Sequence, residues 1–195
     1  SIYNYYLPLY ENEYKEKAQE HFVFTSFHCD STAKSLKGLM VAIADINKRY
    51  ERLSKTSELI NLLEGSNLRL EAGFERNYLL SSNQKNINNP NASFLSPNKI
   101  KIDFHVSRIF ADLFIYQCLQ NNIDCHKQAV WSWFYDEEGA YVPAVLAHSL
   151  IPCSIFVEIG NLRNKEEAAK INTPDYRQKI AELYVNTLIA KYKII

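Results

Sequence analysis

The stretch Ile151–Ile171, IPCSIFVEIGNLRNKEEAAKI, decides the fold. It opens on an apolar run, Cys153, Ile155, Phe156 and Val157, with the character of an interior strand covered on both faces. The run stops at Glu158, which is followed by Ile159 and Gly160. A carboxylate at the C-terminal tip of a buried strand, beside a glycine, is where open α/β sheets place their chemistry. Taken alone, Glu158 is more readily a residue that ends a strand in water. A helix start follows, with Asn164 as N-cap and Glu167 three residues on in a capping-box pattern.

Working outward, residues 22–27 form a second buried run that ends in His28, with Asp30 two residues later, and Gly38–Ile43 (GLMVAI) forms a third. A histidine at a strand end is, by itself, more often hydrogen-bonded at the surface than a metal ligand. Residues 11–20 are a charged helical stretch. Residues 44–64 space Ile46, Tyr50, Leu53, Leu59, Ile60, Leu62 and Leu63 helically, with Gly65 as a stop and a less regular helix at 66–80. The Asn/Ser-rich segment 81–98 reads as a long loop. A helix is expected from Asp103, with His105 and Ser107 in its first turn. Its apolar stripe is Phe104, Ile109, Phe110, Leu113, Phe114 and Leu119, and Asn121–Asn122 ends it.

Residues 129–135 read as a strand with Trp131 and Trp133 on one face. An acidic turn at 136–139 follows, then a strand or loop at Tyr141–Leu146 leading to His148. Thr173 caps a final helix with Pro174 at its first position, and Tyr176, Ile180, Leu183, Tyr184, Thr187 and Leu188 give it one buried face. Buried strands alternating with amphipathic helices imply an α/β layered domain. The expected architecture is a three-layer α/β/α domain with a mixed, mostly parallel central sheet, spanning residues 1–195 and carrying a helical and loop insertion at 44–102.

The balance of 22 basic against 22 acidic residues points away from a nucleic-acid groove. No apolar segment reaches the roughly 18 residues of a membrane span. The cysteines, at 29, 118, 125 and 153, show no zinc-finger spacing; Cys118 and Cys153 read as buried thiols, and a disulfide stays open. The N-terminus, SIYNYYLPLY, lacks the basic region of a signal peptide. A chain that begins with Ser, with its one Met at position 40, reads as a trimmed segment of something longer or as one that has lost its initiator Met.

In order along the chain, five pieces resemble the zinc-dependent N-acetylmuramoyl-L-alanine amidases of the type 3 amidase family. Phe24–Ser31, FTSFHCDS, is similar to the family's strand ending in Ser-x-His-x-Asp, and Gly38–Ile43 to the Gly-x-x-Val strand after it. Ser107–Leu119 resembles the helix that opens with Ser, and Val145–Pro152 the loop before the last core strand. Ile155–Lys170, IFVEIGNLRNKEEAAK, resembles the strand-Val-Glu-x-Gly and the short helix that follows, and Tyr176–Ala181 the start of the closing helix. The resemblance implies that His28 is one of two zinc histidines and that Glu158 is the catalytic carboxylate. A zinc with an open position activates water and polarises the amide carbonyl, and the carboxylate moves the proton to the leaving amine. The bond cut would join N-acetylmuramic acid to the L-alanine of the peptidoglycan stem peptide. By location, Asp30, His148, Asn161 and Arg163 are candidates for the substrate groove.

The chain departs from the family pattern at two places. The family's first zinc histidine, in a His-Gly-Gly loop, and its zinc glutamate on the first helix both precede the Ser-x-His-x-Asp strand. The residues before His28 contain no His-Gly, and His21 opens the same strand, more than about 20 Å along it. The site would then be half supplied by these residues. Secondly, the insertion at 44–102 resembles that of regulated division amidases, in which a helix covers the zinc until an activator protein moves it. Glu51, Glu58, Glu64 and Glu71 are candidates for the blocking carboxylate, and a solvated amphipathic helix accounts for them equally well. These readings make the protein a peptidoglycan hydrolase of the periplasm or the secreted cell envelope. The alternative is an inactive amidase-like module that binds peptidoglycan or a cell-division partner.

Overall fold

A computed structural model describes residues 22–31, 36–53, 97–136, 139–147, 149 and 151–193. The charged stretch at 11–20, most of the 44–102 insertion and His148 lie outside the described residues. In chain order the elements are β1 (Val23–Asp30), β2 (Leu39–Ala42), α1 (46–53), α2 (Pro97–Gln120), β3 (Cys125–Trp131), β4 (Phe134–Asp136) and β5 (Gly139–Tyr141). Then come α3 (Ala144–Ala147), β6 (Cys153–Asn161), α4 (Lys165–Ile171) and α5 (Pro174–Lys193).

Four strands form one sheet in the order β1-β6-β2-β3. β1 runs parallel to β6 and β2 parallel to β3, while β2 and β6 are antiparallel, so the sheet is mixed and mostly parallel. β4 and β5 form a separate antiparallel pair. β6 is central, and its alternate residues go to opposite faces. Cys153, Ile155 and Val157 join the core made with α2 and α5, through Phe110, Phe114, Cys118, Ile180 and Leu183. Phe156 faces the other way, against Phe24, Ala42, Trp131, Phe134 and Leu146. The interior strand covered on both faces is therefore present, as its unbroken apolar run implies.

Both predicted helix caps form. Asn164 Oδ1 accepts from the backbone N–H groups of Glu166 and Glu167. Thr173 Oγ1 accepts from Tyr176 N–H at 3.3 Å, and Pro174 opens α5. Of α5's expected face, Ile180, Leu183 and Thr187 are buried, and Tyr176, Tyr184 and Leu188 pack against the same core.

Four local expectations are corrected. α2 starts at Pro97 rather than Asp103, taking in the end of the expected 81–98 loop and moving His105 and Ser107 out of the first turn. Its buried stripe is also rotated: Ile109 and Leu119 are 69% and 53% exposed, while Asp103 and Ser107 are buried. Those polar residues are tolerated inside because they are satisfied. Asp103 pairs with Arg49 at 3.0 Å. Ser107 Oγ donates to Pro152 O and accepts from Ser154 N–H, both at 3.0 Å. The expected strand at 129–135 breaks after Trp131, so the two tryptophans do not share one strand: β3 begins earlier, at Cys125, and Trp133 lies between β3 and β4. Finally, β6 does not stop at Glu158 but runs on to Asn161, because Asn161 pairs with Asp30 across an irregularity in the register.

The four cysteines are free. Cys118 and Cys125 sit in the same core region, and the Cys125 thiol donates to Ile123 O at 3.6 Å.

Candidate active site

Strand order brings the predicted pair together. Glu158 on β6 is registered with His28 on β1 on one side and with Met40 on β2 on the other. Register partners on neighbouring strands project to the same face, which for Glu158 is the face carrying Phe156. The His28 ring stacks on the Phe156 ring at 4.2 Å and 16°. Its Nε2 shares a hydrogen bond of 2.8 Å with Ser26 Oγ, two residues back on the same face. The imidazole is exposed, so it is held against the sheet while open to solvent.

Glu158 is only 8% exposed, and its Oε2 is buried with no hydrogen-bond partner among the described residues. Burial, and then the neighbouring Asp30 carboxylate, push its carboxyl from the ordinary value of 4.5 up to about 7. Such a group exchanges protons near neutrality, which is what a general acid–base needs. Burial, and next Glu158 itself, push the Cys29 thiol up as well. Asp30 is buried at the last pairing of β1, and its carbonyl accepts from Leu162 N–H at 2.7 Å.

The remaining predicted residues occupy different settings. Asn161 is buried, its Nδ2 donating to Leu36 O at 3.1 Å and its Oδ1 accepting from Arg163 N–H at 2.9 Å. The Arg163 side chain is exposed just beyond the β6 tip. Glu51 is exposed on α1 and pairs with Lys48.

Two buried charged residues were not singled out by sequence reasoning in the roles they take. Glu167 was read as half of a capping box; its carboxylate accepts instead from Gly38 N–H at 2.6 Å and Asn161 N–H at 2.9 Å. Arg49, from α1, reaches Asp103, Ala147 O and Ser149 O. A polar residue at an otherwise core-facing helical position, as Asp103 is, was the available signal for Arg49. For Glu167 the signal was only its place after a glycine-containing strand tip.

A zinc, implied by the family resemblance, finds an incomplete donor set here. Among the described residues no group of three or more His, Cys, Asp or Glu could hold a metal ion. One imidazole with nearby carboxylates is short of the ligands that a zinc site needs. The described residues therefore do not fit the metal by themselves.

Fold and site together define a mixed-sheet α/β protein with a buried carboxylate raised to about 7, beside an imidazole on the adjacent strand. The chain belongs to the N-acetylmuramoyl-L-alanine amidase family: the family's sequence model, Amidase_3, matches residues 4–190. Among curated proteins no sequence relative matches. Among solved structures, the chain is similar to the N-acetylmuramyl-L-alanine amidase Ami1 from Mycobacterium smegmatis, at 15% identity and a TM-score of 0.45, covering 88% of this chain and 54% of that one. It is similar also to the apo form of Ami1 from Mycobacterium abscessus, again at 15% identity and 0.45, covering 93% and 57%. The chain thus spans little more than half the length of these structures.

Proposed function

We propose that the protein is a peptidoglycan amidase that cuts the bond between N-acetylmuramic acid and L-alanine, with Glu158 as its general base. The observation that carries this reading is the Glu158 carboxyl, buried, unpartnered at Oε2 and raised to about 7. At neutral pH such a carboxylate can take a proton from an attacking water and return it to the departing L-alanine amine. Membership of the amidase family supplies the bond. His28, held on Phe156 and open to solvent, is the candidate for a zinc nitrogen ligand. Arg163 is exposed beyond the same strand tip, and with Asp30, Asn161 and His148 it completes the proposed groove set.

A zinc of the kind the family resemblance implies would need ligands beyond the described residues, whose donors do not complete its site. A peptidoglycan substrate implies a periplasmic or secreted location, testable by fractionation. The 44–102 insertion is the proposed place of action for an activator protein. No described helix is long and apolar enough to cross a membrane.

The test is digestion of purified peptidoglycan by the full-length protein, with mass spectrometry of the products and metal analysis of the protein. Released stem peptides with a free L-alanine amine, from zinc-containing protein, are expected. The incomplete donor set favours one second reading, a module that binds peptidoglycan without cutting it. Tight binding to peptidoglycan with no peptide released and no zinc present would replace the first reading with the second.

A further inference from the structure

Glu167 is 7% exposed, in the first turn of α4, and its two oxygens serve different elements. Oε1 accepts from Gly38 N–H, just before β2, and Oε2 from Asn161 N–H, at the end of β6. Glycines bring both donors within reach. Gly38 has φ +91°, and a Cβ there would lie 2.5 Å from the Cys125 carbonyl carbon and from His126 N. Gly160, which precedes Asn161, has φ +150°, and a Cβ would meet Ile171 Cδ1 at 3.0 Å. Only glycine accepts such backbones without strain. The ion pairs Lys37–Glu166 and Lys170–Asp124 flank the same junction but are exposed, so they hold it weakly.

What this junction closes is the ladder that carries Glu158. The β6–β2 pairing is short, matching Met40, Val41 and Ala42 with Glu158, Val157 and Phe156, so Glu158 sits in its terminal pair. The end pairs of a short ladder open first. Gly38 lies two residues before Met40, and Asn161 three residues after Glu158. The Glu167 carboxylate therefore bridges the two strands just beyond that terminal pair. On the β1 side the end is closed by a backbone bond, Leu162 N–H to Asp30 O at 2.7 Å. Glu167 supplies the equivalent closure towards β2 with a side chain.

We propose that Glu167 is a positioning residue for Glu158, clamping β6 to β2 so that the Glu158 carboxylate keeps its place. The consequence for catalysis rests on the amidase reading; the clamp itself does not. The discriminating variant is Glu167→Gln, which keeps the side-chain size but replaces one acceptor oxygen with an amide NH2 that only donates. One of the two N–H donors would then face a donor.

Hydrogen exchange at the Gly38, Met40 and Asn161 amides should accelerate about 10-fold or more, as lost charge-assisted bonds imply. The Leu183 and Thr187 amides of α5 should stay at wild-type rates, separating local release from global destabilisation. On peptidoglycan, kcat should fall about 10-fold or more with KM little changed, because substrate is still bound but the base is displaced. Unchanged exchange at Gly38 and Asn161 would overturn the clamp. Faster exchange with an unchanged kcat would overturn its positioning role. A wild-type protein that releases no peptide would instead sink the amidase reading, and the exchange data would still decide the clamp.

Discussion

Replacing Glu158 with Gln should make the protein more stable at alkaline pH and less stable at acid pH, and the crossing follows from its surroundings. In the folded protein the carboxyl is raised from 4.5 to about 7, first by burial and then by Asp30. The folded state therefore holds this proton more tightly than the unfolded chain does. The stabilisation is fully present below about 4.5 and is lost as pH rises through about 7. Integrated over that window, it amounts to up to about 3 kcal/mol that the wild type loses and the Gln variant does not. The amide needs partners where Oε2 has none, a cost of about 1 kcal/mol at every pH. The variant should thus be less stable by about 1 kcal/mol at pH 4 and more stable by about 2 kcal/mol at pH 8. For a chain of this size the latter raises Tm by about 4–8 °C. Urea denaturation of both proteins between pH 4 and 8, in chelator to remove metal ions, reads the difference, since titrating groups not coupled to Glu158 as Asp30 and Cys29 are cancel. A difference that does not vary with pH would refute the reasoning.

Two further perturbations test the scaffold. Arg49→Met removes a guanidinium that is 4% exposed and bonds Asp103, Ala147 O and Ser149 O. It should cost about 3–5 kcal/mol in denaturant unfolding, with at least half restored in Arg49→Met/Asp103→Leu, as expected of a buried pair; a loss below about 1 kcal/mol would contradict this. Gly38→Ala forces a Cβ to 2.5 Å from the β3 backbone at φ +91°, whereas Gly139→Ala meets nothing within 4 Å at φ +115°. Both substitutions strain the backbone, but only the first also clashes, so it should cost about 2 kcal/mol or more beyond the second in thermal or urea melts.

What could be read from the sequence followed local periodicity and local chemistry. The β6 run, the Asn164 cap, and Thr173 with Pro174 are each set by residues a few positions apart, and each formed; β1 formed too, but as a half-exposed edge strand with Phe27 at the surface rather than as the expected buried run. The end of β6 was misplaced because its last pairings, to Asp30 and through Glu167 to Gly38, are made by segments more than a hundred residues away. The phase of α2 was misjudged for a related reason. Apolar spacing nominated Ile109 and Leu119, while Asp103 and Ser107 went inside because Arg49 and the Pro152–Ser154 backbone satisfy them. At the site, Glu158 and His28 were nominated by the family resemblance, since each alone reads as a strand end or a surface residue. That they would be register partners was not legible, since it depends on β6 lying beside β1 in the sheet.

The central claim, that the Glu158 carboxyl moves the proton, is tested most directly by the rate of L-alanine amine release from peptidoglycan by wild type and Glu158→Gln at neutral pH. Loss of a general base predicts a fall in kcat of about 100-fold or more with KM little altered. A Glu158→Gln protein that releases peptide at the wild-type rate would contradict the account.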